Sequence, residues 1–202
     1  MIRTFTLLAT LAALSGTTSA ADIEKAEKAA KAFLEKAKAQ AMPVHVADEE
    51  VASSFGKQTV FAVRFQQFPV AMAPAEGFEA NNILFVTEKG ETKLVSKGGD
   101  LLKIFEKMPA LTDKIALTNV KALLALEREM IQDGFYKFKP VDDSFKVTRE
   151  GTRTTAKGTI DVTEGGTGSI TVMLVYEKDG SLFGSSVGPF VKPGPRPRRL
   201  GD

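Results

Sequence analysis

The chain has 202 residues, a formal net charge of +2, 43% hydrophobic residues and 26% charged residues, which is an ordinary composition for a soluble globular protein. It has one histidine and no cysteine, which excludes a disulfide-stapled scaffold and leaves a Cys/His metal site almost without ligands. Five of the 27 basic residues and one of the 25 acidic residues lie at the two ends. The body between them is therefore slightly acidic, and nothing in it indicates the basic face of a nucleic-acid-binding domain.

Residues 1–20 have the three parts of a secretory signal peptide. Arg3 supplies the positive start, residues 5–14 form a short apolar run, and small residues follow, with cleavage expected after Ala20 or Ala21. The apolar run is too short to span a bilayer, and no second long run follows, so no transmembrane segment is predicted. The interpretation is an exported protein, periplasmic or extracellular, and the short signal peptide favours a bacterial source.

Strong helix formers predict a helix over residues 21–42, which Pro43 would end. Residues 44–57 read as a loop containing the acidic run 48–50, which we interpret as solvated rather than as a calcium site. The next predicted elements are a strand at 59–68, a hairpin at 82–95 that turns near Lys89–Gly90, and helices at 98–109 and 112–133, the second with Gly134 as its left-handed C-cap.

Four strands are predicted in the last third of the chain, at 144–150, 152–163, 168–178 and 181–187. The turn signals between them, "EG", "EGGTG" and "KDG", are typical of an antiparallel meander. A phosphate-binding loop leads from a strand into a helix, whereas the glycine run at 164–169 lies between two strands. We therefore interpret that run as a hairpin loop.

This order of elements lacks the strand–helix alternation of a parallel sheet. It predicts an α+β fold, an antiparallel β-meander sheet with helices packed on one face, in a single domain over 21–190. A duplication into two helix-plus-meander halves, 21–109 and 110–190, stays open as an alternative. In the second half, a long helix followed by four strands resembles the cystatin-like topology in its order of elements alone, and that resemblance implies no function.

One charged residue on the predicted helix 112–133 interrupts its apolar half. Glu127 falls there between Val120 and Leu123, and Arg64 is a charge inside an otherwise apolar strand. A buried carboxylate must be paired, hydrogen-bonded or protonated. The hypothesis is that Glu127 and Arg64 meet in the interior or line a ligand pocket between helix and sheet, with Tyr136 as a third polar side chain. The alternative is a structural salt bridge.

The other candidate chemistries lack a motif. His45, the single histidine, has no nucleophile motif such as G-x-S-x-G near it, and no carboxylate pair stands out for glycoside hydrolysis. No cofactor, no metal and no catalytic residue is predicted.

Residues 191–202 form a basic, proline-rich end that we predict to be disordered. Arg196, Arg198 and Arg199 would give it a weak electrostatic attraction to an anionic surface.

Three functional hypotheses follow. The first is a non-enzymatic binding protein of the cell envelope, whose partner is an envelope protein, an acidic polymer or a small ligand. The second is a small exported hydrolase or isomerase that uses Glu127 as an acid–base residue. The third is a structural or inhibitor protein that acts through a protein–protein surface, for which an exposed apolar patch around 68–78 would be the sign.

Overall fold

The computed structural model describes residues 19–189 and 191–197, so the predicted signal peptide lies almost wholly outside the described residues. The helices in these ranges are α1 (Ala20–Lys36), α2 (Glu49–Phe55), α3 (Gly98–Phe105) and α4 (Asp113–Ile131). The strands are β1 (Met42–His45), β2 (Gln58–Arg64), β3 (Asn81–Thr87), β4 (Thr92–Val95), β5 (Lys137–Pro140), β6 (Lys146–Glu150), β7 (Arg153–Glu164), β8 (Gly166–Thr167), β9 (Ser169–Tyr176), β10 (Leu182–Pro189) and β11 (Lys192–Pro193).

The strands pair antiparallel into a larger sheet in each half of the chain. The first sheet has the order β1-β2-β3-β4, and the second has the order β10-β9-β7-β5, with β6 also paired to β7. A short third pair joins β8 to β11. The protein is therefore α+β with antiparallel sheets, as the order of elements predicted.

The first sheet is buried on both faces. On one face, Phe61, Val63, Leu84 and Val86 pack against the small residues of α1. On the other face, Val60, Ala62, Ile83 and Phe85 belong to the same core as α2, α3, α4 and the second sheet. Helix α4 thus lies between the two sheets, which explains why every residue from Ala122 to Glu127 is buried. The double burial also explains the continuous apolar runs of β2 and β3.

The end of α1 differs from its prediction. The helix ends at Lys36 rather than at residue 42, and Lys38 takes a left-handed conformation with φ 53°. The next residues pair with β2 as the edge strand β1. Helix propensity in this stretch is overridden because strand pairing and burial of Pro43 depend on contacts distant in the sequence.

Pro43 protects the free edge of the first sheet. The Val46 amide donates to the Val60 carbonyl at 2.9 Å. Because backbone amides alternate in direction along an antiparallel strand, the amides of Val44 and Met42 also point towards β2. Pro43 then has its nitrogen on the outer side, where no ladder bond is lost. A proline in this place removes the donor that another strand would need for pairing.

The predicted loop 44–57 contains a helix as well as β1. Asp48 is the N-cap of α2, and its side chain accepts from the Val51 amide at 3.0 Å. Glu49 and Glu50 occupy the first turn, where the helix dipole favours negative charge. The acidic run thus begins a helix. Sequence reasoning missed α2 because seven residues are too few for a clear helical period.

The C-terminal segment is ordered over 191–197, where a disordered tail was predicted. Strand β11 pairs with β8, and the Gly194 amide donates to the Gly165 carbonyl at 2.9 Å. The tail is held because the glycines of the 164–169 run let three pieces of backbone approach closely. Arg198 and Arg199, predicted as tail contacts, lie outside the described residues.

No helix in the described ranges combines the length and hydropathy that crossing a membrane requires. In the same ranges, no three His, Cys, Asp or Glu side chains are grouped in a way that could hold a metal ion.

Candidate functional site

Arg64 does not meet Glu127. Its guanidinium forms a half-buried ion pair with Glu129, two residues further along α4. Residues i and i+2 of a helix do not share a face, so a partner that reaches Glu129 cannot also reach Glu127. The predicted pairing is wrong because the helical wheel shows which residues of α4 are buried but not which sheet each one faces.

Glu127 lies instead against the first turn of α3. It is 7% exposed, and its Oε1 lies 3.4 Å from the position that a Cβ on Gly98 would occupy. No hydrogen bond or ion pair to this carboxyl is formed by the residues that the structure describes. Burial raises the pKa of Glu127 from its ordinary 4.5 to about 7. Glu127 is therefore a buried acid whose carboxyl gains or loses its charge near neutral pH.

Tyr136 packs with Arg196 from the C-terminal segment. The Arg196 guanidinium carbon lies 4.8 Å from the centre of the Tyr136 ring and 5.0 Å from that of Phe135. The same guanidinium donates from Nε to Asp133 at 2.7 Å and from Nη1 to the Gly165 carbonyl. Arg196 was predicted to contact an external anion, but it is committed to contacts within the chain.

A row of three side chains crosses the first sheet near the end of α4. Met42 is opposite Arg64, and Arg64 is opposite Asn81, so the three side chains lie on one face of the sheet, the face on which α4 packs against β3. The Asn81 amide nitrogen donates to the Met130 and Gln132 carbonyls at 3.0 and 2.8 Å. These bonds satisfy carbonyls at the C-terminal end of α4 and join the helix to the sheet.

Two buried polar atoms of this row lack a partner in the described chain. They are the Nε of Arg64, a donor, and the Oδ1 of Asn81, an acceptor. Buried polar atoms are nearly always hydrogen-bonded, because leaving one unpaired costs about 1–3 kcal/mol. A donor and an acceptor on directly opposite residues suit a group that can accept from one and donate to the other.

Both residues line a cleft of about 300 Å³ at the C-terminal end of α4. Its lining is Arg64, Phe65, Gln66, Gln67, Phe68, Asn81, Gln132, Asp133, Gly134 and Phe135. Arg64, Phe65 and Gln66 also line a second cavity of about 540 Å³, together with Ala39, Gln40, Ala41, Met42, Val44 and Met72. Because they share three residues, the two cavities adjoin along the row. We call them together the row groove.

The row groove is almost uncharged. Arg64 and Asp133 are the charged residues of its lining, and each has a partner outside that lining, Glu129 for Arg64 and Arg196 for Asp133. Five of the other lining side chains are carboxamides, Gln40, Gln66, Gln67, Asn81 and Gln132. A ligand with a net charge finds no free counter-charge here, whereas a neutral polar ligand finds groups that both donate and accept.

A further cavity of about 370 Å³ lies between α2, α4 and the second sheet. Its floor includes Leu124 and Ile160, and its charged residues include Lys121, which pairs with Glu50 at 2.9 Å. None of the side-chain atoms found without a partner belongs to its lining. Glu127 lines neither this cavity nor the row groove.

No family model, curated protein or solved structure matches the chain.

Sequence reasoning found Arg64 as an unusual charge but missed Asn81 and the aromatic side chains Phe68 and Phe135. Their meeting depends on the register between β2 and β3, and the connection between those strands, residues 65–80, is too long for a turn rule to set that register. The one available signal was the pair "NN" at the start of a strongly apolar strand.

Proposed function

We propose that the protein is an exported, non-enzymatic binding protein of the cell envelope and that its ligand occupies the row groove. The observation that carries the proposal is the pair of buried, unpartnered atoms on Arg64 and Asn81 beside a cleft of ligand size. Concave sites with an apolar lining and a few convergent polar groups are the usual form of small-ligand sites. The proposal of export rests on the sequence of residues 1–20.

The binding part of the proposal is tested with a neutral blocked amino acid, N-acetyl-leucinamide, followed in ¹⁵N–¹H NMR spectra. We expect saturable shifts of the Arg64 Nε–H and Asn81 side-chain signals. In Arg64→Lys the positive charge that faces Glu129 is kept but the Nε–H is lost, so we expect at least fivefold weaker binding. Removing one hydrogen bond to an otherwise buried partner has about this effect, roughly 1 kcal/mol.

The matched control is Arg153→Lys, the same substitution on an arginine of the second sheet whose Nε donates to Glu177 and which lines neither cavity of the row groove. It should leave the affinity for N-acetyl-leucinamide unchanged. If neither the wild type nor the control shows saturable shifts at the row, the groove is not a ligand site and the proposal fails.

The export part is tested by expressing the full chain in a bacterium and sequencing the N-terminus of the protein from the periplasm or the medium. We expect the mature chain to begin at Ala21 or Asp22. Uncleaved chain retained in the cytoplasm would contradict export and leave the ligand proposal standing.

Glu127 meets one of the two requirements of the acid–base hypothesis, a suitable pKa, but not the other, a place in a cavity. The pKa of Glu127 lies near neutrality, as a general acid or base needs, but its carboxyl faces Gly98 and lines none of the three cavities described above. We therefore place the binding function ahead of hydrolysis or isomerisation.

A further inference from the structure

We infer that the ligand of the row groove is a short, extended peptide segment with uncharged, apolar side chains. This inference rests on the proposed function and names the chemical class of its ligand.

The hydrogen-bonding groups of a peptide complement the unpartnered atoms of the row. A peptide unit carries one N–H and one C=O, which are the partners that Asn81 Oδ1 and Arg64 Nε lack. Gln66 and Gln67, which also line the groove, donate to the Val70 and Phe65 carbonyls, and their side-chain oxygens can accept from a neighbouring peptide N–H. A carboxylate or phosphate ligand would satisfy Arg64 but would leave the Asn81 oxygen facing another acceptor.

The length of the row fits a short peptide. Met42, Arg64 and Asn81 lie on three successive strands, and two strand spacings amount to about 10 Å. An extended chain advances about 3.3 Å per residue, so the row matches about three residues of peptide. The peptide unit that bonds to Arg64 and Asn81 would then lie in the half of the row away from Met42.

Both ends of the row groove present apolar side chains. At one end, Met42 and Val44 are 72% and 55% exposed and lie next to Met72. At the other end, the Phe68 and Phe135 rings meet edge to face with their centres 5.9 Å apart. Apolar side chains of a peptide would cover both surfaces. A carbohydrate of equal length would place hydroxyl groups against the methionines and valine without partners, which is unfavourable.

Charge supports the same class of ligand. Arg64 and Asp133 are each paired with a residue outside the lining, so a charged side chain entering the groove gains no new ion pair and loses its water. Uncharged segments are favoured for this reason.

The test compares acetyl-Leu-Ala-Leu-amide with N-acetyl-leucinamide by calorimetry or NMR titration. We expect the tripeptide to bind at least tenfold more tightly, because it alone reaches both ends of the groove. Acetyl-Lys-Ala-Lys-amide and acetyl-Glu-Ala-Glu-amide should bind at least tenfold more weakly than the leucine peptide. Chitotriose, a neutral sugar with acetamido groups, should not compete with the tripeptide.

A variant localises the contact. Met42→Ser combined with Val44→Ser removes the apolar surface at one end, and both side chains are exposed, so folding should not suffer. We expect it to lose most of the tenfold advantage of the tripeptide while keeping the affinity for N-acetyl-leucinamide. The matched control is Leu111→Ser, which also replaces an exposed apolar side chain by serine. Leu111 is 68% exposed and precedes the N-terminus of α4, so this variant should bind like the wild type.

The outcomes separate the two levels of the proposal. If N-acetyl-leucinamide binds at Arg64 and Asn81 but the tripeptide is no tighter, or the charged peptides bind equally well, or chitotriose displaces the tripeptide, the peptide inference is overturned and the binding site stands. If neither leucine ligand binds, both fail.

Discussion

Glu127→Gln is expected to stabilise the protein at pH 8 by up to about 3 kcal/mol relative to the wild type. In the folded protein the pKa of Glu127 is raised to about 7, whereas in the unfolded chain it returns to 4.5. Between these values the folded state holds a proton that the unfolded state has released, so the free energy of unfolding falls by about 1.4 kcal/mol per pH unit as pH rises. Stability from this group is fully present below pH 4.5 and lost above pH 7.

The measurement is urea unfolding of wild type and variant at pH 4.5 and pH 8. The glutamine has nearly the shape of the protonated acid, so the two proteins should differ little at pH 4.5 and most at pH 8. Glu106→Gln, at an exposed position after α3, should not change the pH dependence. If Glu127→Gln instead destabilises the protein at pH 8, the carboxylate has an ionic or hydrogen-bonding role that the described contacts do not provide. The acid–base hypothesis would then regain support.

Gly165→Ala is expected to destabilise the protein by about 3 kcal/mol or more. Gly165 has φ 78°, and a Cβ at this residue would lie 2.1 Å from the Phe135 carbonyl oxygen. Left-handed backbone costs an alanine roughly 1–2 kcal/mol, and a clash with backbone cannot be relieved by a side-chain rotation. The strain also falls on the Gly165 carbonyl, which accepts from Gly194 and Arg196, so the C-terminal segment should loosen at the same time.

The matched control is Gly151→Ala. Gly151 has φ 60° with no atom near the added Cβ, so it reports the backbone cost alone, roughly 1–2 kcal/mol. Thermal unfolding should separate the two variants by several degrees, since one kcal/mol shifts the midpoint of a domain this size by about 2–4 °C. Hydrogen exchange should show faster exchange of the Gly194 amide in Gly165→Ala only. Equal effects of the two substitutions would contradict the close approach of the three backbone segments.

The elements that sequence patterns predicted correctly are those with a strong local signal. The hairpin at 82–95 is formed by β3 and β4 and turns at Gly90, which has φ 82°. Helix α4 begins after the Thr112 cap, within a residue or two of its predicted bounds. The strands of the last third follow the turn signals, because glycine and polar turn residues act over a few neighbouring positions.

The elements that sequence patterns missed depend on distant contacts. Residues 37–42 were assigned to α1 from their propensity, yet they lead into a strand whose partner is β2. The C-terminal segment was predicted to be disordered from its prolines, yet the Arg196 guanidinium packs against the Phe135 and Tyr136 rings and pairs with Asp133. Local preference is worth tenths of a kcal/mol per residue and yields to such tertiary contacts.

The sequence by itself determined the α+β class, the antiparallel strands and the burial of Glu127, because hydrophobic period and turn chemistry are properties of short segments. Only the tertiary structure decided that Arg64 pairs with Glu129, that Asn81 stands opposite Arg64, and that two adjoining cavities follow that row. These facts depend on strand register and on the placement of α4 over the sheet. Both are set by the packing of whole faces against one another, which no short segment of the chain contains.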